Sequence, residues 1–259
     1  MSHIMRALGF LCLFTTIGTL PVSAQPASRR VVPGPAPASR GFVSISGGYQ
    51  GATTEFDDNF SFTRDQETGT TRVTYPIDAG PTFDIGGGVR IWRRLGAGLA
   101  VSRFTRDGLV SSASTIPHPL YLEQHREVSG DRDGIRREET AVHVQAQWSL
   151  PVTPSVHVTL MGGPSVLRVN QAMVIDVNYT EEYPYDTAAF SGVDTNRKKG
   201  SKTGFNLGAD VRWMFTRNIG AGALVRATRA TIDLDAAENR TVSLDVGGTQ
   251  VGVGLRVAF

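Results

Sequence analysis

The chain has 259 residues, with 26 Lys and Arg against 24 Asp and Glu, a formal net charge of +2. That balance leaves no basic footprint for nucleic acid. No apolar run reaches the roughly 18 residues a transmembrane helix needs, so any membrane crossing must use strands.

Residues 1–24 read as a secretory signal. Arg6 supplies the positive charge, residues 7–20 an apolar core too short to span a bilayer, and Val22-Ser23-Ala24 a small-residue cleavage site. Met5 is a second candidate start. The single cysteine, Cys12, falls inside this segment, so the mature chain offers neither a disulfide nor a thiolate metal site. Residues 25–40 are proline-rich and aperiodic, and are expected to form an extended periplasmic leader outside any sheet ladder.

From residue 41 the pattern alternates with period two, the mark of strands with two unlike faces. The first strand, 42–50, sets Val43, Ile45 and Tyr49 against Ser44, Ser46 and Gln50. A long polar stretch, 52–81, leads to the second strand, 82–92, where Phe83, Ile85, Val89 and Ile91 oppose Asp84, Gly86, Gly88 and Arg90. A tight turn at 93–96 precedes the third strand, 97–104. A second long loop holds the turn-rich tip 129–134. The fourth strand, 140–150, shows Val142, Val144 and Trp148 against His143, Gln145 and Gln147. After a tight turn at 151–154, the fifth, 155–166, sets Val156, Val158 and Leu160 against His157, Thr159 and Met161.

The longest loop follows and turns basic at Arg197, Lys198, Lys199 and Lys202. The sixth strand, 204–215, alternates without a break: Phe205, Leu207, Ala209, Val211, Trp213 and Phe215 against Asn206, Gly208, Asp210, Arg212 and Met214. A third tight turn, 216–218, joins it to the seventh, 219–232, with Arg226 and Thr228 on its small-residue face. A short hairpin around 237–239 returns to the eighth, 249–259. There Val251, Val253, Leu255, Val257 and Phe259 oppose Gln250, Gly252, Gly254, Arg256 and Ala258.

A soluble sheet hides its large side chains. A lipid-embedded barrel turns them outward and keeps small or polar residues inside. The connections alternate long and tight, as short periplasmic turns and longer extracellular loops do in such barrels. Trp92, Trp148, Trp213, Phe215 and Phe259 gather at the periplasmic strand ends, where aromatic rings suit a membrane interface. Trp92 breaks the local parity, which a bulge or a rim position would explain. Alternation persists at 60–62, 72–75, 172–177 and 241–246, so extended hairpins should protrude outward.

The inward residues Asp84, Arg90, His143, His157, Asp210, Arg212, Arg226 and Arg256 are the candidate chemistry. An eight-stranded barrel is just wide enough for side chains to fill, and charges there must pair. The first reading is a structural ion-pair network; the second is a narrow anion-favouring passage, since four Arg face two Asp. A lipid hydrolase would need a nucleophile, base and carboxylate in mutual reach, and no inward carboxylate is expected on the fourth and fifth strands. No metal or cofactor motif stands out. The run Arg197, Lys198, Lys199 and Lys202 is either a solvated loop or a contact for lipopolysaccharide phosphates.

The architecture, with its aromatic-ended last strand, resembles the small eight-stranded outer-membrane barrel superfamily that includes OmpX and the OmpA transmembrane domain. The resemblance covers about residues 41–259. It implies an all-β, eight-stranded antiparallel up-and-down transmembrane barrel with extended extracellular hairpins, in the outer membrane of a Gram-negative-type bacterium. It implies a non-enzymatic scaffold without cofactors, whose loops meet an extracellular ligand. The final strand would be read by the barrel-assembly machinery, and the partners would be outer-membrane lipid and lipopolysaccharide.

Overall fold

A computed structural model describes residues 39–51, 54–237 and 240–259. The expected signal and nearly all of the expected leader lie outside the described residues. Ten antiparallel strands follow in order: β1 (Gly41–Gly51), β2 (Thr54–Arg64), β3 (Glu67–Ile77), β4 (Gly80–Trp92), β5 (Leu95–Pro117), β6 (His125–Pro151), β7 (Val156–Glu181), β8 (Ala188–Met214), β9 (Ile219–Ala237) and β10 (Arg240–Ala258).

Eight of them close a ring. β1 pairs with β4 and β10, and the circuit runs on through β9, β8, β7, β6 and β5 back to β4. The register from Phe42↔Ala258 to Gly51↔Thr249 joins first strand to last, leaving this part of the sheet no open edge. The expected eight strands are therefore this ring, while the total is ten. The two extra strands, β2 and β3, form a hairpin within the polar stretch 52–81, and they contain the alternating segments 60–62 and 72–75 from which a protruding hairpin is expected. β3 docks on β5 from Thr70↔Thr115 to Thr74↔Ser111.

The faces fall as the alternation requires. Leu207 is 68% and Leu255 61% exposed, whereas Asp210 is 2% and Arg256 1% exposed. Large apolar side chains form the outer wall, and polar ones fill the middle. The tight turns all lie at one end; at Arg93, φ is +49°, in the left-handed region such turns use. The pairing shifts register between Arg90 and Trp92. That bulge lets Ile91 and Trp92 both face outward.

The strands outrun any bilayer. β6 and β8 have 27 residues each, against about 9–11 needed to cross. The expected protruding hairpins are thus the upper halves of the strands. On β9 and β10 the inward faces there are apolar: Ile232, Leu234, Val242, Leu244 and Val246 are buried, while Asp233, Ser243 and Asp245 point outward. Two contiguous apolar clusters fill this upper section, one around Tyr75, Val110 and Met173, the other around Leu167, Ile232 and Leu244.

Candidate functional site

Three tiers of polar side chains occupy the lower and middle interior. In the tier nearest the tight turns, Arg256 of β10 binds Asp210 of β8, Nη2 to Oδ2 at 2.5 Å, and gives Nη1 to Ser46 of β1 at 2.9 Å. Arg212 reaches the same carboxylate at 3.7 Å, donates to Thr159 Oγ1 at 2.7 Å, and lies 4.0 Å above the Phe42 ring. Arg226 of β9 crosses the ring to Asp84 of β4 at 2.6 Å. The Arg256–Asp210 and Arg226–Asp84 pairs tie strands distant in sequence, whereas Arg212 and Asp210 share β8. The low-dielectric setting makes these pairs costly to break rather than rich in net stability.

In the middle tier, His143 is fully buried, with Nε2 3.0 Å from Ser102 Oγ and Nδ1 2.8 Å from Ser165 Oγ. Asn206 donates to Ser165 Oγ at 2.8 Å and accepts from Gln145 at 2.9 Å. The upper tier was missed by sequence reasoning. Glu139 Oε1 accepts from Arg137 Nε at 2.7 Å, and its Oε2 accepts from Gln50 Nε2 and the Gly247 amide, both at 3.0 Å. Gln250 donates to Gln50 at 2.8 Å. Gly247, with φ of +94°, turns its N–H to this carboxylate. The expectation of no inward carboxylate on the fourth and fifth barrel strands is corrected by Glu139 on β6. Because its neighbours Glu138 and Arg137 are charged, the stretch resembled loop.

Of the inward residues read from the sequence, Arg212 and Arg256 meet at Asp210, and Arg226 pairs separately with Asp84. Arg90 and His157 are only half-buried, near the tight-turn end, and His157 lies opposite Arg212 in the β7–β8 register. His143 sits in the serine cluster rather than among the ions. In the polar section lie two cavities of about 10 Å³, one beside Gln50 and Glu139 and one beside Asp84 and Arg226. Each is room for about one water. Among the described residues no cluster of three or more His, Cys, Asp or Glu is arranged to hold a metal ion.

On the outer wall, Trp92, Trp148, Trp213, Phe215 and Phe259 are all exposed at the tight-turn end. Trp213 and Phe215 meet edge to face at 5.2 Å, and Arg93 lies over Trp92 at 5.4 Å. A second set, Tyr49, Phe83 and Phe205, is exposed at the upper border of the apolar wall. The sequence placed these three outward but did not group them. Above that border the wall turns basic. Arg103, Thr140, Arg168 and Ser201 share one register row across β5 to β8. Arg197, Lys198, Lys199 and Lys202 belong to β8, not to a loop. Lys202 pairs with Asp233 at 3.6 Å. Arg168 and Lys199 line a groove of about 490 Å³. Its one carboxylate, Glu138, faces Arg103 at 3.7 Å and Arg136 at 3.9 Å.

No curated protein matches this chain. Solved structures of the same fold include OmpT, an outer membrane protease from Escherichia coli, at 8% identity and a TM-score of 0.50, covering 85% of this chain and 97% of that one. OprG from Pseudomonas aeruginosa matches at 10% identity and 0.46, covering 86% and 97%. Neisserial surface protein A matches at 14% and 0.41, covering 86% and 100%. At 8% identity the match to OmpT speaks for fold alone. The model of the outer membrane protein beta-barrel domain matches residues 12–259, and the chain belongs to that family of outer-membrane barrels.

Proposed function

We propose that this barrel is a non-enzymatic scaffold that carries a rigid interaction surface beyond the outer membrane. The observation that supports it is the apolar core of the protruding section. Floppy loops would not need Ile232, Leu234 and Leu244 buried at 1% exposure. A packed core there holds the hairpin tips in fixed positions, and preorganised surfaces bind at lower entropic cost. Against an anion passage stand the polar tiers, the apolar fill above them and cavities of about 10 Å³. Against a hydrolase stands His143, whose two nitrogens face serines rather than a carboxylate. OmpT's protease activity is that protein's own.

The basic wall adds a partner. Arg168 and Lys199 have no carboxylate partner among the described residues, and they sit just above the apolar belt. That is the level of lipopolysaccharide phosphates, which Lys and Arg bind well. Of the expected contact residues, Lys199 fits this role best, while Lys202 is already paired. Arg168 joins it.

The test replaces tip residues 119–123 and 182–186, which lie between strands, with Gly-Ser turns. The expected result is unchanged heat-modifiable migration on gels together with altered binding of whole cells to surfaces. Unaltered binding by a folded variant would sink the reading. For the lipid contact, Arg168→Ala with Lys199→Ala should weaken co-purification of lipopolysaccharide.

A further inference from the structure

The three hairpin tips are locked to one another. Glu67, after the β2–β3 turn, accepts the Glu123 amide of the β5–β6 loop at 2.7 Å. Arg126 at the base of that loop binds Glu181 at 2.6 Å and the Tyr185 carbonyl at 2.9 Å, both at the β7–β8 connection. It also donates to the Pro117 carbonyl at 2.9 Å. His118 Nδ1 accepts the amides of Leu120 and Tyr121 at 3.1 and 3.2 Å, which directs Nε2 toward Asp186, 3.8 Å away. Arg64 lies over the Tyr179 ring at 4.8 Å.

This bracing does not hide the apolar side chains it carries. Leu120, Tyr121 and Leu122 are exposed on one loop, and Tyr183 is 80% exposed on the next. Four large apolar groups are thus exposed on two tips that touch through Arg126 and His118, and clustered exposed apolar side chains mark interaction sites. The charge around them has one sign. Residues 63–68, 116–127 and 178–188 hold seven carboxylates and two arginines. One of those arginines is buried in its ion pair, and the other is stacked on Tyr179. On the wall near the apolar belt, β5 to β8 carry Arg103, Arg136, Arg168 and Lys199 interleaved with Asp107 and Glu138, so the one-sided charge belongs to the tips.

We infer that the apical platform binds a cationic amphipathic peptide segment of a partner protein. Its Leu and Tyr side chains take the apolar face, and the surrounding carboxylates take the Lys or Arg face. Complementary potentials of this kind also speed encounter and suppress partners of the wrong sign. An anionic lipid surface would be repelled. The inference rests on the scaffold reading above and names what its surface accepts.

The experiment uses the mature barrel in phosphatidylcholine nanodiscs, with empty nanodiscs as reference. The probe is a fluorescent helical peptide of alternating Lys and Leu faces, read by anisotropy. Binding above the reference is expected, weakening steeply as salt is raised from about 50 to 500 mM, because exposed charges are screened. A Glu-for-Lys peptide should bind no better than to empty discs. Leu120→Ser, Leu122→Ser and Tyr183→Ser together should weaken binding about tenfold or more, since exposed aromatic and aliphatic anchors carry most of such an interface. Glu123→Gln, Glu182→Gln and Asp186→Asn together should weaken it and flatten the salt dependence. Equal binding by both variants, equal binding of the acidic peptide, or salt-insensitive binding to the parent barrel would overturn the inference. The salt series needs no variant, so a variant that fails to fold does not protect the idea. If tip replacement alters cell-surface binding while the peptide ignores the platform, the scaffold reading stands and this one falls.

Discussion

Along β10 one face of the backbone carries Arg256 and Gln250 below, and Val246, Leu244 and Val242 above, and all five are buried. The strand does not flip between them; its surroundings change. Below, the outer wall meets hydrocarbon, so the apolar side chains are already satisfied outside and the interior is free to be polar. Above, the outer wall meets water, so the only dry place is the interior. β9 changes at the same level, from Arg226 and Thr228 to Ala230, Ile232 and Leu234. One closed sheet thus holds two cores of opposite chemistry, each dictated by what lies outside it. They differ in what cohesion depends on. The lower core needs its partners matched atom by atom, whereas the upper needs volume filled.

The sharpest break of that contrast is Asp210→Ala. It would leave Arg256 and Arg212 buried beside one another without their shared carboxylate. Leaving buried charges uncompensated costs about 3–5 kcal/mol. The expected outcome is a matching drop in urea stability of the barrel folded into lipid vesicles. A drop under about 1 kcal/mol would mean that water relieves the charges and that the lower core is less dry than its burial implies.

Leu234→Ala addresses the upper core. Truncating a buried Leu costs about 2–5 kcal/mol, but the loss should be local. Extracellular protease should nick the protruding strands faster, while the urea midpoint of the embedded section moves little. Equal movement of both would show that the two cores unfold as one unit. Gly247→Ala probes the level where they meet. The residue has φ of +94°, and an added Cβ would lie 2.3 Å from the Thr228 carbonyl oxygen. Strain of about 1–3 kcal/mol is expected, together with loss of the Gly247 hydrogen bond to Glu139, seen as faster amide exchange at residues 245–248.

The two-core plan also explains which parts of the fold the sequence revealed. In the lower section one rule holds everywhere, large apolar out and small or polar in, so β8 and β10 disclose both faces and the tight turns count the ring. Above the border that rule reverses in chemistry without changing parity. A reader can see alternation at Val242, Leu244 and Val246 but not which face is covered. Alternation at 60–62 and 72–75 points to a protruding hairpin, but the full length of β2 and β3 is hidden for a related reason. Phe56, Phe60 and Phe62 share their face with Asp58, and a carboxylate in the series looks like a loop. Glu139 and Arg137 were hidden likewise, as charges at the edge of an apolar strand. Ion pairs such as Asp84 with Arg226, 142 positions apart, depend on ring closure, which composition and spacing do not specify.

Asp58 offers the smallest and most discriminating test, because it places a charge in the region that ought to be apolar. It is 1% exposed. Among the described residues its ion-pair partner is Arg240 of β10 at 3.1 Å, itself lying over Phe60 at 4.4 Å. Burial raises the carboxyl above its ordinary 3.8, and the attraction of Arg240 offsets this only in part. The sign follows directly. Below 3.8 the group is protonated whether folded or unfolded, and its contribution to stability is fully present. As pH rises, the unfolded chain ionises first, and the contribution is lost by the time pH passes the folded value. Asp58→Asn removes that loss. At neutral pH the variant's β2 and β10 amides should be as protected as the parent's or better, by on the order of 1 kcal/mol or less. The difference should vanish below the ordinary carboxyl range. Stronger protection in the parent at neutral pH would reverse the ranking: Arg240 would then outweigh burial, and the upper section would share the paired-charge logic of the lower one.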